Sequence, residues 1–231
     1  MNKWFILAAV LLIAASGLAP LASAADASAP KPDPDPTRFK SDIAAFAAYD
    51  RENTAPKEAV VFVGSSSINM WKTAECFPEF AVINRGFGGS QASDVVHFAP
   101  KLVLKYQPRA IVFYAGDNDL AAGKTPEQVA GDFEKFVGIV HDKLPKAEVV
   151  YLPVKPSLAR WNIWPQMQET NALVADFAKG QQHVTYIDTA TPMLGPDGKP
   201  RPEIFLSDGL HMNAQGYTIW TNLVQPVLER P

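Results

Sequence analysis

The chain has 231 residues, of which 47% are hydrophobic and 19% charged, and its formal net charge at pH 7 is −3. This length and composition predict one domain with a substantial apolar core. The mildly acidic balance excludes the basic surface that attracts nucleic acids and anionic membranes, so neither is expected as a partner.

The first 24 residues have the pattern of an export signal. Lys3 provides a positive start, an apolar stretch runs from Trp4 to about Leu18, and Ala22-Ser23-Ala24 offers small residues for cleavage. A retained membrane anchor is the alternative, but the apolar stretch is shorter than the roughly 20 residues that a spanning helix needs. We therefore expect an exported protein, periplasmic or secreted, with no stable membrane insertion after cleavage.

Residues 25–37 are rich in alanine, proline and aspartate, and every second residue from Pro30 to Pro36 is a proline. Alternating prolines favour an extended, solvated chain, so the pattern predicts a Pro-rich tether. The folded domain is predicted over residues 38–231. Cys76 is its only cysteine, so no disulfide bond within the chain can stabilise it.

Helical and strand-like patterns alternate along the predicted domain. Apolar residues at helical spacing predict a first helix from Arg38 to about Asn53. Short apolar runs predict five buried parallel strands, at 59–63, 81–84, 110–115, 148–154 and 184–187. Longer amphipathic stretches predict helices around 92–106, 126–143, 165–179 and 213–229. This alternation predicts a three-layer α/β/α fold, a doubly wound parallel sheet of about five strands with helices on both faces.

Polar, glycine-containing loops follow three of these strands. They are Gly64–Ser67, Asn84–Ser90 and Gly116–Asp119. Because the carboxyl ends of parallel strands meet at one edge of a sheet, these loops are expected to converge there. Asp208 and His211, in the loop before the last predicted helix, are expected to complete the group.

Serine, histidine and aspartate in these loops are the residue types that nucleophilic catalysis needs. A serine hydroxyl is a weak nucleophile until an imidazole removes its proton, and a carboxylate holds that imidazole in the working tautomer. Taken singly, the serines after Gly64 are typical of a helix cap and Asp208 of a turn. The prediction of catalysis therefore depends on the whole ordered set.

That ordered set resembles the motif blocks of the SGNH (GDSL-like) hydrolases. The family's Gly-Asp-Ser block falls on Gly64-Ser65-Ser66, its Gly-x-Asn-Asp block on Gly116–Asp119, and its Asp-x-x-His block on Asp208–His211. Ser65 replaces the family's aspartate, which makes this a Gly-Ser-Ser-Ser variant. The resemblance spans roughly residues 59–228 and implies a flavodoxin-like topology.

The resemblance also implies a role for each matched residue. Ser66 is the nucleophile, His211 the general base, and Asp208 the group that orients the base. The backbone N–H groups of Ser66 and Gly89 and the side-chain amide of Asn118 form an oxyanion hole. No cofactor is expected, and no metal either, because the sequence has no Cys/His pair at zinc spacing and no calcium-loop pattern.

The loop after the fourth predicted strand carries residues suited to binding a substrate. The aromatic faces of Trp161 and Trp164 suit a sugar ring or an acyl chain, although packing against the following helix explains them equally well. Arg160, or Arg85 in the loop after the second predicted strand, suits an acidic group on a substrate.

These patterns predict an exported serine ester hydrolase that acts on carboxylic esters through an acyl-serine intermediate. Short acyl groups, such as carbohydrate O-acetyl groups or small esters, are the expected substrates, so the expected partner is a small-molecule or glycan ester. The same residues also support acyl transfer to an alcohol. The alternative from another class is a non-catalytic flavodoxin-like module that binds phosphate or flavin at the Gly64–Ser67 loop. The sequence leaves the oligomeric state open.

Overall fold

A sheet of five parallel strands forms the centre of the computed structural model, which describes residue 1 and residues 30–230. The strands are β1 Val60–Gly64, β2 Val82–Gly86, β3 Ala110–Tyr114, β4 Glu148–Tyr151 and β5 Val184–Tyr186. Their order across the sheet is β2-β1-β3-β4-β5. All five predicted strands are confirmed, with β4 ending before the position predicted for it. The predicted export signal, apart from Met1, lies outside the described residues.

Eight α-helices accompany the sheet in the described part of the chain. They are α1 Lys40–Glu52, α2 Ser66–Asn69, α3 Thr73–Cys76, α4 Ala92–Leu102, α5 Asp117–Ala121, α6 Pro126–Lys143, α7 Trp164–Lys179 and α8 Ala214–Leu228. The five long helices confirm the predicted ones. The three short helices were not predicted, because four or five residues are too few to show a helical period. Within residues 30–230, no helix combines the length and apolarity needed to cross a membrane.

Each face of the sheet is covered by its own hydrophobic core. Successive side chains of a strand point to opposite faces, so Val61 and Val63 of β1 pack with residues of α1, α4, α6 and α7. Val60 and Phe62 face the other way and pack with residues of α8 and of the segment that carries α2 and α3. Because both faces are buried, the strands are continuous apolar runs rather than alternating ones.

The N-terminal segment of residues 31–37 is mostly exposed, as expected of a solvated chain, but it also contacts the domain. Lys31 donates its N–H to the side chain of Gln128 at 3.1 Å and accepts a hydrogen bond from it at 2.8 Å. Asp33 pairs with the buried Lys124 at 2.7 Å. Residues 31–35 have no regular secondary structure, whereas Pro36–Phe39 form a short 3₁₀ helix. The segment is docked at the start of α6, and local composition could not reveal these long-range partners.

The strand order reverses between β1 and β3, which places a crevice beyond the carboxyl ends of these two strands. Gly64 ends β1 with a φ of +142°, and a Cβ atom there would lie 1.8 Å from the carbonyl oxygen of Tyr114 in β3. Only glycine allows this close approach of the two backbones. The chain that follows Gly64 therefore leaves the sheet at the crevice.

Candidate active site

Ser66 is the first residue of α2 and lies just beyond the end of β1. Its neighbours Ser65 and Ser67 are buried, whereas Ser66 is partly exposed. The Ser66 hydroxyl oxygen lies 3.0 Å from Nε2 of His211. Of the three adjacent serines, Ser66 is therefore the one whose hydroxyl meets a base.

Asp208 binds the other ring nitrogen of His211. Its Oδ2 lies 2.6 Å from Nδ1 of His211, and its Oδ1 accepts the backbone N–H groups of Leu210 and His211, each at 2.9 Å. These bonds, first the one from the imidazole and then those from the backbone, hold the pKa of Asp208 well below its usual range. An ionised carboxylate only accepts, so the Nδ1 atom carries the proton, and neutral His211 presents the lone pair of Nε2 to Ser66.

The loop that carries Asp208 and His211 is closed at its base. Phe205 and Met212 form an antiparallel bridge, and the Leu206 N–H donates to the carbonyl of His211 at 2.8 Å. The side chains of His211 and Asp208 are 25% and 47% exposed, so both are in contact with solvent.

The glycine loop after β2 lies against Ser66. A Cβ atom at Gly88 would lie 4.0 Å from the Cβ atom of Ser66. Gly89 is exposed and has a φ of +79°, a left-handed conformation that favours glycine. Among the described residues, neither the N–H of Gly89 nor that of Ser66 has a protein acceptor. Both groups are therefore available to an incoming anion.

The side-chain amide of Asn118 has a defined orientation at the start of α5. Its Nδ2 donates to the carbonyl oxygen of Ser90 at 3.0 Å, and its Oδ1 accepts from Arg160 at 3.0 Å. A carbonyl can only accept and a guanidinium can only donate, so these two partners determine which amide atom is which. One hydrogen of Nδ2 remains for a further acceptor.

Arg160 contacts two residues of the protein, and its contact with an acidic group on a substrate stays a prediction. Its Nη1 lies 3.1 Å from Oδ2 of Asp117, and its Nη2 donates to Asn118. Lys155, with 1% of its side chain exposed, lies 3.6 Å from the same Asp117 oxygen. Burial lowers the pKa of Lys155, and the Asp117 carboxylate opposes this shift.

Arg85 lies apart from this group, so the prediction that it binds substrate is wrong. Its side chain is buried, lies 2.5 Å from Asp50 of α1 and donates to the hydroxyl of Tyr106 at 2.7 Å. As a residue of β2 it points into the layer of α1, where these partners hold it. Sequence spacing alone did not reveal which sheet face it would take.

Trp161 and Trp164 stack on each other beside Arg160, with ring centroids 5.6 Å apart and an interplanar angle of 17°. Trp164 packs against the small apolar cluster formed by Leu120, Val129, Val154 and Met167. Trp164 therefore packs against the domain, which was one of the two roles that the sequence allowed for it. Both rings are partly exposed, and substrate contact stays a prediction for them.

Asp119 and Lys124 support the site and were not predicted from the sequence. Both Asp119 oxygens accept the N–H of Ala92 at the start of α4, at 3.0 and 3.1 Å. Burial raises the pKa of Asp119 to about 7, and the ammonium of Lys124, 3.3 Å away, opposes this shift. The only sequence signal was the acid in Gly-x-Asn-Asp. The carboxylates in this region surround the ammonium of Lys124. Within the described residues, no three His, Cys, Asp or Glu side chains are grouped so that they could hold a metal ion.

Comparison with known proteins connects this geometry to a family. The sequence pattern of the GDSL-like Lipase/Acylhydrolase family matches residues 71–219, a stretch that contains Gly89, Asn118, Asp208 and His211 and begins after Ser66. The chain is 28% identical over 167 residues to platelet-activating factor acetylhydrolase IB subunit alpha1 of Homo sapiens. That alignment covers 69% of this chain and 70% of the human protein.

Solved structures share the fold. A GDSL-like lipase from Bacteroides thetaiotaomicron has a TM-score of 0.70 and 21% identity, with 81% of this chain and 97% of that chain covered. A carbohydrate esterase family 3 protein from Talaromyces cellulolyticus has a TM-score of 0.61 and 16% identity, with 74% and 96% covered. The α/β/α architecture predicted from the strand and helix pattern is confirmed.

Proposed function

This chain belongs to the GDSL-like lipase/acylhydrolase family and is an ester-cleaving hydrolase, and from that premise we propose that it works as a serine esterase. Ser66 is the proposed nucleophile, His211 the proposed general base, and Asp208 the group that orients the base. One observation carries this proposal: the Ser66 hydroxyl, the His211 ring and the Asp208 carboxylate are joined at 3.0 and 2.6 Å. A non-catalytic phosphate or flavin module would leave this arrangement without a role.

In the acylation step, Ser66 Oγ attacks the ester carbonyl carbon while its proton passes to Nε2 of His211. The electron pair of the carbonyl double bond moves to the oxygen, which becomes an oxyanion. When the tetrahedral intermediate collapses, the bond to the alcohol oxygen breaks and His211 returns the proton to that leaving group. The product is an acyl-serine at Ser66 and a free alcohol.

In the deacylation step, water repeats the attack on the acyl-serine. His211 takes a proton from the water and then gives it to Ser66 Oγ, which releases the carboxylic acid. An alcohol in place of water would complete an acyl transfer with the same residues. The solvent exposure of His211 and Asp208 favours hydrolysis, because water reaches the base directly.

The oxyanion is stabilised by the N–H groups of Ser66 and Gly89 and by the side-chain amide of Asn118. All three have a hydrogen without a protein acceptor in the described part of the chain, and the hydrogen bond from Asn118 to the carbonyl of Ser90 joins the Asn118 loop to the glycine loop. Removal of one such donor typically costs about 2.7–4 kcal/mol of transition-state stabilisation.

The proposed substrates are esters of short acyl groups, including carbohydrate O-acetyl groups and small esters. Two similar proteins support this choice by name, one an acetylhydrolase and one a carbohydrate esterase. The partly exposed, stacked rings of Trp161 and Trp164 suit a sugar face beside the site. The N-terminal sequence supports export, and we propose a periplasmic or secreted enzyme.

The proposal is tested with p-nitrophenyl acetate, butyrate and octanoate and with an acetylated xylo-oligosaccharide. We expect the acetate ester to have the highest kcat/KM of the three and acetate to be released from the sugar. Ser66→Ala is expected to lower kcat by about 10³-fold or more, because within residues 30–230 no other hydroxyl hydrogen-bonds His211.

The matched control is Ser65→Ala, since Ser65 is adjacent and buried and its hydroxyl has no partner within the described residues. This variant is expected to stay active, and circular dichroism checks the fold of both variants. Full activity of a folded Ser66→Ala protein would overturn the assignment of the nucleophile.

A further inference from the structure

We propose that Arg160 is a positioning residue for acyl transfer: it holds the side-chain amide of Asn118 in the orientation that presents an N–H to the oxyanion. The inference rests on the proposed function, in which Asn118 is one of the oxyanion donors. It is a different role from the expected contact of Arg160 with an acidic substrate.

The guanidinium of Arg160 bridges two consecutive residues at the start of α5. Its Nη2 donates to Oδ1 of Asn118 at 3.0 Å, and its Nη1 lies 3.1 Å from Oδ2 of Asp117. The contact with Asn118 is a hydrogen bond and the contact with Asp117 is an ion pair. The two nitrogens of one planar guanidinium make these contacts, which the single ammonium of a lysine cannot reproduce. Asp117 is buried, so the anchor of Arg160 is itself held in place.

The amide of Asn118 needs two partners to keep one orientation. If it turned over, its NH₂ group would face the guanidinium hydrogens and its oxygen would face the carbonyl oxygen of Ser90. Both contacts would be repulsive, so Arg160 and Ser90 each oppose the turned-over orientation. Without Arg160, only the Ser90 contact selects the orientation, and a larger share of molecules has no N–H at the oxyanion.

Arg160 also affects the strength of the Asn118 donor. A cation on the amide oxygen polarises the group and makes its N–H a better hydrogen-bond donor. The positive charge of Arg160 beside Asn118 also favours the negative charge that develops in the transition state.

The segment of Arg160 links the oxyanion side of the site to the base side. Ala159, the preceding residue, donates its N–H to the carbonyl of Gly209 at 3.0 Å, within the loop that carries His211. Only 21% of the Arg160 side chain is exposed, which fits a group held between loops rather than one that awaits a ligand.

A double-mutant cycle with p-nitrophenyl acetate tests this inference, using Arg160→Met, Asn118→Ala and the double variant. Arg160→Met is expected to lower kcat about 10-fold or more, with a much smaller change in KM, because it displaces a donor that acts in the transition state. Asn118→Ala is expected to lower kcat by about 10²–10³-fold. The double variant is expected to be about as slow as Asn118→Ala, since Arg160 acts through Asn118.

The control is Arg109→Met. Arg109 immediately precedes β3, is partly buried and donates a hydrogen bond to the carbonyl of Leu228. It is expected to leave kcat and KM near the wild-type values. If Arg160→Met does not fold, Arg160→Lys replaces it, with a smaller loss of kcat expected, and thermal unfolding checks each variant.

Two outcomes would overturn the inference while leaving the proposed function in place. They are an additive loss in the double variant, and a raised KM with unchanged kcat in Arg160→Met, which would indicate substrate binding. If Asn118→Ala itself keeps the wild-type kcat, the proposed oxyanion hole fails and the inference fails with it.

Discussion

At the scale of single residues, the charge states of the site follow from its hydrogen bonds. Asp208 accepts three hydrogen bonds, from the ring of His211 and from two backbone N–H groups. Each of these bonds favours the charged carboxylate, and the pKa of Asp208 is therefore well below its usual range. Asp208 thus stays ionised in mildly acidic solution and continues to accept the Nδ1–H of His211 there.

This leads to a prediction for the pH dependence of kcat/KM. On acidification the logarithm of kcat/KM is expected to fall with a slope of one, because His211 must be neutral to accept the proton of Ser66 and Asp208 does not titrate with it. The measurement is kcat/KM for p-nitrophenyl acetate between pH 4 and 8 at constant ionic strength. A slope of two would mean that Asp208 also gains a proton, and a flat profile would remove His211 as the base.

At the scale of elements, Lys124 joins three parts of the fold that support the site. Its buried ammonium contacts Asp119 of α5 at 3.3 Å, Asp132 of α6 at 3.0 Å and Asp33 of the N-terminal segment at 2.7 Å. Asp119 in turn binds the start of α4 through the N–H of Ala92. The ammonium of Lys124, through Asp119, therefore links the segment after the glycine loop to the helix that carries Asn118.

We expect Lys124→Met to destabilise the protein by about 3–5 kcal/mol at pH 8, because it leaves buried carboxylates without their cation. The folded-state pKa of Asp119, raised to about 7, lies above the unfolded value. The stabilisation linked to its protonation is therefore present at low pH and lost as the pH rises through 7. The loss in Lys124→Met should thus be smaller at pH 5 than at pH 8, as measured by urea unfolding.

Lys135→Met is the matched control for this variant. Lys135 also binds Asp132 at 3.0 Å, but 66% of its side chain is exposed. An exposed pair of this kind contributes about 0–1 kcal/mol. Equal losses in the two lysine variants would show that burial of Lys124 is not what makes its contacts important.

At the scale of the whole molecule, the N-terminal segment of residues 31–37 contacts parts of the fold far away in the sequence. Lys31 hydrogen-bonds Gln128 near the start of α6, and Asp33 pairs with Lys124. Partial burial opposes the shift, but the ion pair with Lys124 lowers the pKa of Asp33. The segment thus contacts the group of charges formed by Lys124, Asp119 and Asp132.

A pair of shortened chains tests this docking. A chain that begins at Pro34 lacks Lys31 and Asp33, whereas one that begins at Pro30 keeps them. Loss of these contacts is expected to cost about 1 kcal/mol, which lowers the Tm by about 2–4 °C in a chain of this size. The difference in Tm between the two chains should be smaller in acid. The pKa of Asp33 is lowered in the folded protein, so its stabilising effect is lost as the pH falls through that pKa. Equal Tm values at pH 7 would contradict the docking.

The order and type of the main elements were determined by the sequence itself, since apolar period and turn residues act over a few neighbouring positions. They placed five strands and the long helices, and they put Gly89, Asp208 and His211 in loops. Ser66 and Asn118, also expected in loops, lie at the start of the short helices α2 and α5. The residue types at these positions also predicted ester cleavage, which family membership confirms.

Only the tertiary structure decided which side chains meet. It brought His211, 145 residues further along the chain, within hydrogen-bond distance of the Ser66 hydroxyl. It turned Arg85 into the α1 layer and tied Arg160 to Asn118 and Asp117. The physical reason is that hydrogen bonds and ion pairs depend on distances of about 3 Å between groups that strand pairing brings together, and no local pattern encodes those distances.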